Sequence, residues 1–110
     1  MTPFAELMRE DRRICLLRAL GCMPERRANH LVLHEALDSL GHGVGVDVLL
    51  ADLTWLAELG LVACDCLKSG GHGCTVVTLT PRGMDVALGR STVPGIKRPL
   101  PGDLPDPEAL

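Results

Sequence analysis

The chain has 110 residues, of which 46% are hydrophobic, and a formal net charge of −3. This length predicts a single small domain. Because the net charge is negative, the chain does not belong to the strongly basic proteins that bind nucleic acid mainly by neutralising phosphates. No apolar run reaches the roughly 18 residues that a membrane-spanning helix needs, so no membrane span is predicted. The five cysteines occur without a recognisable secretory leader, so we expect reduced thiols in a cytoplasmic protein.

The first 60 residues predict three helices. Apolar residues at helical spacing predict helix 1 over residues 3–20, and glycine follows its last residue. Asn29 is a candidate N-cap for helix 2, in which leucines and alanine repeat at the 3.6-residue period. The glycine-rich segment 41–45 then forms a turn, and helix 3 follows over residues 46–59.

A β-hairpin and a short helix follow. The alternating segment "LVACDCL" (residues 61–67) and the β-branched segment "CTVVTLT" (residues 74–80) predict two strands joined by the turn "KSGGHG". Thr80 is a candidate N-cap for a last helix, which ends near Gly89. The element order α-α-α-β-β-α predicts a mostly α-helical winged helix-turn-helix with a small β-hairpin.

The composition changes after this last helix. Five of the eight prolines lie in residues 90–110, where no regular element is predicted. We therefore expect a winged-helix domain over residues 1–89 and a proline-rich, disordered tail over residues 90–110.

Four segments carry a resemblance to a known group of proteins: "LHEALDSLGHGV", "LTWLAELGLV", "TLTPRGMDVALGR" and "VPGIKRP". Together they resemble the winged helix-turn-helix regulators of the ArsR and MarR type, and more narrowly a small ArsR-like protein of Mu-like prophages. The resemblance covers about residues 12–99. It implies a phage or prophage protein that acts in transcription regulation.

In winged helices that read DNA, the third helix enters the major groove and the wing contacts phosphates. The positions that would face DNA lie before helix 2, on the outer side of helix 3 and on the wing. The candidate DNA-binding residues are Arg26, Arg27, Val46, Asp47, Leu50, Ala51, Thr54, Lys68 and His72.

Helix 3 nevertheless lacks the chemistry of a DNA reader. No lysine or arginine lies between Gly45 and Gly60, whereas Asp47, Asp52 and Glu58 are acidic and oppose phosphate. The principal hypothesis is a non-enzymatic, DNA-associated regulatory protein with weak base reading by helix 3. The alternative is a protein-interaction adaptor that keeps the winged-helix scaffold without binding DNA.

A second alternative is a zinc- or redox-responsive regulator. Cys64, Cys66, His72 and Cys74 offer ligand types that zinc accepts. Cys64 and Cys66 share one face of their strand, but the face of Cys74 depends on the hairpin register. The spacing differs from that of zinc ribbons, so the prediction is half-buried strand residues, with no metal and no cofactor.

No arrangement typical of catalysis is found. The serines lack the setting of a nucleophile elbow, and the two glycine-rich runs do not join a strand to a helix as a phosphate-binding loop does. We therefore expect a protein that is not an enzyme. A long helix 1 and an apolar helix 3 also predict a homodimer.

Overall fold

Three helices occupy most of the first 60 residues of the computed structural model, which describes residues 3–69 and 72–99, except for the side chains of residues 68, 69 and 72. Helix α1 is Phe4–Gly21, α2 is His30–Ser39 and α3 is Val46–Glu58. A single 3-10 turn, Pro24–Arg26, follows α1. These bounds agree with the predicted helices to within one or two residues.

The remaining elements are three strands and a fourth helix. Strand β1 is Arg27–Asn29, β2 is Val62–Ser69, β3 is His72–Leu79, and helix α4 is Pro81–Ala87. The strands form an antiparallel sheet in the order β1-β3-β2. The fold is thus mixed α/β, with four helices and a three-stranded sheet in the described residues. Strand β1 lies where the sequence predicted only a connector.

Local chemistry explains the element ends. The Asn29 side chain accepts a hydrogen bond of 2.9 Å from the backbone N–H of Val32, and this caps α2. Thr80 caps α4 in the same way, through the backbone N–H of Gly83. Gly60 ends α3 with a φ of +75°, a left-handed conformation that glycine adopts without strain. Both caps had been predicted from the sequence.

Aliphatic side chains from all four helices and the sheet form one core. Its buried members are Ile14, Leu16, Leu17, Leu20, Leu33, Leu37, Leu49, Leu53, Leu56, Leu61, Val62, Val77, Leu79, Val86, Ala87 and Ile96. Removal of this apolar surface from water is the main stabilising term. The core fixes which face of α3 is turned outward.

Residues 90–99 form no helix or strand, yet they pack on the domain. Ile96 is buried in the core, and Val93 packs against it. The backbone N–H of Lys97 donates to the carbonyl of Glu10 in α1 at 3.2 Å. Composition assigned this segment to a tail, whereas the structure places it against α1 and α3. Residues 100–110 of the predicted tail lie outside the described part of the chain.

Candidate functional site

The outward face of α3 is the first candidate site. Helical periodicity buries Leu49, Asp52, Leu53 and Leu56 on one side. The opposite side carries four exposed residues, each about one helical turn from the next, which we call the α3 outer stripe. Its members are Asp47, Ala51, Thr54 and Glu58.

Four of the five candidate DNA-binding residues on α3 are exposed: Val46, Asp47, Ala51 and Thr54. Leu50 is half-buried and packs against the core. The Thr54 hydroxyl donates to the backbone carbonyl of Leu50 at 2.9 Å, so its proton is used within the helix. The outer face therefore offers two carboxylates, Asp47 and Glu58, and mostly apolar groups where base reading needs donors as well as acceptors.

Charge is strongly segregated along the chain. Residues 28–67, which form α2, α3 and most of β2, contain no lysine or arginine. They do contain six carboxylates: Glu35, Asp38, Asp47, Asp52, Glu58 and Asp65. A phosphate backbone would meet negative charge on these elements.

One of these carboxylates is buried. Asp52 is 4% exposed, and its two oxygens accept from Arg12 Nε at 2.5 Å and from Arg13 Nε at 3.3 Å. Sequence reasoning counted Asp52 with the acids that repel phosphate. Its spacing of three residues after Leu49 and one before Leu53 is the signal that places it on the buried side.

Arg13 is held on several sides. Its guanidinium carbon lies 3.8 Å from the centroid of the Trp55 ring, a cation–π contact. Its Nη1 donates to the carbonyl of Gly95 at 3.1 Å. Together with Asp52, these contacts lock α1, α3 and the segment 90–99 to one another. Two of the four arginines of α1 thus serve the fold.

The cations expected beside α2 differ from one another. Arg26 is half-buried, has a left-handed φ of +58°, and donates from Nη1 to the carbonyl of Gly21 at 2.8 Å. Arg27 is exposed at the start of β1 and pairs with Thr78. Arg27 therefore offers its charge to solvent, whereas Arg26 closes the turn after α1.

The predicted wing residues Lys68 and His72 lie on paired strands, opposite Gly73 and Ser69. Their side chains lie outside the described part of the structure.

The hairpin register separates the strand cysteines. Cys64 pairs with Val77 and Cys66 with Thr75, whereas Cys74 pairs with Leu67. Since neighbouring residues of a strand point to opposite faces, Cys74 lies on the face opposite to Cys64 and Cys66. The three cysteines of the zinc-responsive alternative therefore do not lie on one face of the hairpin.

Burial raises the pKa of the Cys64 thiol, and the nearby Cys66 and Asp65 raise it further. This shift favours the neutral thiol, which is a poor nucleophile.

A second cluster joins α1 to the loop after α2. His42 Nε2 lies 2.6 Å from Asp11 Oδ2, and the Cys15 thiol lies 3.9 Å from the same oxygen. Lys97 Nζ lies 3.3 Å from Asp11 Oδ1. Burial acts to raise the pKa of Asp11, but the hydrogen bonds from His42 and Lys97 outweigh it, and the pKa is lowered.

Sequence reasoning missed this cluster because its members belong to different elements. Asp11 and Cys15 are one helical turn apart, which the sequence shows. Cys15 falls within the apolar pattern of helix 1, and His42 lies in the glycine-rich turn 41–45, so neither residue stands out as a ligand. Their approach depends on the packing of α2 against α1.

No model of a known protein family matches the chain. It is 46% identical over 97 residues to an uncharacterized protein of Escherichia phage Mu, gp26, and the match covers 87% of this chain and 95% of the phage protein. An uncharacterized protein of Haemophilus influenzae is 36% identical over 67 residues, which is 61% of this chain and 65% of the relative. The chain belongs to the family of the phage Mu protein gp26.

Within the described residues, no helix has both the length and the apolar character needed to cross a bilayer.

Proposed function

We propose that the chain is a non-enzymatic winged-helix adaptor of the phage Mu gp26 family that binds another protein through the outer face of α3. The winged-helix assignment is supported by the element order, with β1 before α2 and a hairpin directly after α3. It is also supported by the sheet order β1-β3-β2. In this scaffold α3 is the element that DNA readers place in the major groove.

The observation that carries the proposal is the chemistry of the α3 outer stripe. Asp47 and Glu58 are acidic, Ala51 is apolar, and no lysine or arginine lies anywhere in residues 28–67. Leu31 and Val32 in the first turn of α2 are exposed as well. Exposed apolar residues with acidic neighbours fit a protein surface with an apolar centre and a basic rim.

A DNA-associated regulatory protein is the second candidate, and the exposed guanidinium of Arg27 favours it. In this candidate Arg26, Arg27 and Lys68 hold phosphates, and α3 reads bases weakly. Arg26 supports it less than Arg27 because its guanidinium already bonds the carbonyl of Gly21. Arg12 and Arg13 add little, because Asp52 holds both.

One experiment separates the two candidates. A photo-crosslinking amino acid, p-benzoylphenylalanine, replaces the exposed Ala51 in cells that carry the phage genome, and the products are identified by mass spectrometry. The adaptor gives a crosslink to a defined protein, and the DNA-associated regulator gives a crosslink to nucleic acid. Arg82, exposed at the start of α4, is the control position and is expected to give neither product.

A charge reversal gives an independent result. Asp47→Lys adds positive charge to the α3 outer stripe, so it weakens the protein crosslink from position 51 if the partner is basic. The same change strengthens binding to a duplex DNA and steepens its salt dependence if α3 approaches phosphates. DNA binding by the wild type that falls steeply with salt and is lost in Arg26→Ala plus Arg27→Ala would contradict the adaptor.

A further inference from the structure

We propose that Asp11, Cys15 and His42 bind a divalent transition-metal ion, with zinc as the best match. Each residue offers one ligand atom, and the three atoms lie within 4.8 Å of one another. The site is separate from the α3 outer stripe and from the strand cysteines.

The backbone places the three side chains with little freedom. Asp11 and Cys15 lie on one side of α1, one helical turn apart. His42 follows the end of α2, where its N–H donates to Leu37 O at 2.8 Å and the N–H of Gly41 donates to Asp38 O at 3.2 Å. This pair of bonds, with Gly41 at a φ of +86°, is a Schellman motif. The motif directs His42 toward α1.

The ligand types and distances fit a tetrahedral ion. Zinc accepts thiolate, imidazole and carboxylate at about 2.0–2.3 Å, so neighbouring ligand atoms of a tetrahedral site lie about 3.3–3.8 Å apart. Cys15 Sγ and Asp11 Oδ2 are 3.9 Å apart. His42 Nε2 and Asp11 Oδ2 are hydrogen-bonded at 2.6 Å, so this pair opens by about 0.7 Å when the ion enters.

The surroundings allow an ion to enter and to exchange its protons. The side chain of Asp11 is 38% exposed, and a groove lined by Cys15, Arg18, Ala19, Cys22 and Leu40 runs beside the thiol. His42 is only 5% exposed, which fixes its ring. Binding releases the proton of the Cys15 thiol to solvent, because the thiolate is the ligand. His42 binds as the tautomer protonated on Nδ1, so the proton that Nε2 donates to Asp11 leaves that nitrogen when the ion binds. A water or a partner group completes the fourth position.

Lys97 competes with the ion for the carboxylate of Asp11. Its ammonium group lies 3.3 Å from Asp11 Oδ1 and is half exposed. It neutralises the carboxylate while the ion is absent, and it swings into solvent when the ion binds. The prediction that follows is specific: removal of the ammonium group strengthens metal binding. A merely structural Asp11–His42 hydrogen bond gives no such result.

The test is a cobalt(II) titration of the full chain, followed by competition with zinc. We expect one Co²⁺ per chain, with a thiolate-to-metal charge-transfer band. Cys15→Ser abolishes that band, and Cys15→Ser and His42→Asn each weaken binding by about 100-fold or more, since even loss of a residue behind a ligand costs 10–100-fold. Cys22→Ser and His34→Asn are matched controls that change neither. Lys97→Met raises the affinity.

Circular dichroism checks that each variant is folded. If His42→Asn does not fold, Cys15→Ser still tests the proposal, because serine has nearly the same size as cysteine. A titration without the charge-transfer band overturns the proposal. So does a band that persists in Cys15→Ser or is lost in Cys66→Ser, and so does an affinity that Lys97→Met leaves unchanged.

Discussion

Asp52 of α3 accepts a hydrogen bond of 2.5 Å from Nε of Arg12 in α1, across 40 residues of sequence. With Arg13 on its other oxygen, this carboxylate forms a nearly buried ion cluster between the two helices. The contact turns one acidic residue of α3 and two basic residues of α1 away from any partner. It therefore changes the charge that each helix presents to solvent.

Asp52→Ala is expected to destabilise the domain by about 3 kcal/mol, because it leaves two mostly buried guanidinium groups without their counter-charge. Asp47→Ala, on the exposed side of the same helix, is the control. It removes only a carboxylate from the first turn and costs less than about 1 kcal/mol. Urea unfolding followed by Trp55 fluorescence measures both. If Asp52→Ala lowers the free energy of unfolding no more than Asp47→Ala does, the ion cluster around Asp52 does not stabilise the domain.

The elements with strong local signals were predicted well from the sequence. The caps Asn29 and Thr80 and the glycine after α3 act within a few residues of chain, so a single sequence shows them. Strand β1 has only three residues, which is too short for an alternating pattern, and it exists because β3 supplies its hydrogen bonds. The packing of Ile96 is also tertiary, since proline-rich composition alone predicts a tail.

The position of a candidate site residue could be predicted from the sequence only where it depends on a single helix or strand. The outward position of Asp47, Ala51 and Thr54 follows from helical periodicity. The separation of Cys74 from Cys64 required the hairpin register, which depends on the whole strand pair.

Gly95→Ala is expected to destabilise the domain by about 1–3 kcal/mol, since the residue has a φ of +93° and a β-carbon there meets the Trp55 ring at 3.0 Å. The chain has one tryptophan, so a shift of its fluorescence reports the displaced contact directly. Gly73→Ala is the matched control, because a β-carbon there has open space and φ is not positive. An unchanged spectrum and midpoint for Gly95→Ala would show that residues 90–99 do not pack on Trp55 in solution.

Cys64 is expected to react with iodoacetamide only at a higher pH than an ordinary cysteine, since burial, Cys66 and Asp65 raise the pKa of its thiol. The neutral form is favoured in the folded state. The contribution of the Cys64 thiol to stability is therefore fully present below the pKa that it has in the unfolded chain. This contribution is lost as pH rises through the pKa that the thiol has in the folded protein.

Mass spectrometry of the alkylated peptide at several pH values measures this profile. Asp65→Asn moves the midpoint for Cys64 to lower pH because one negative charge is removed. Asp85→Asn, in α4, is the control and leaves the profile in place. If the midpoint for Cys64 equals that of the unfolded chain in urea, the raised pKa is wrong.

Self-association through α1 is the last prediction, and it concerns apolar surface that the domain leaves uncovered. In the first two turns of α1, Phe4 is 75% exposed and Leu7 is 51% exposed. A second copy of the chain would bury this surface in a closed pair. Leu7→Glu is therefore expected to raise the concentration at which the dimer half dissociates by about 10- to 100-fold, since burial of a leucine is worth about 1.5–3 kcal/mol.

Leu67→Glu is the matched control, because Leu67 is 55% exposed on β2 and lies on a different element. Light scattering coupled to size exclusion, over a range of concentrations, measures both variants. A wild type that is monomeric at high concentration would remove α1 as an interface, and a dimer lost in Leu67→Glu alone would move the interface to the sheet.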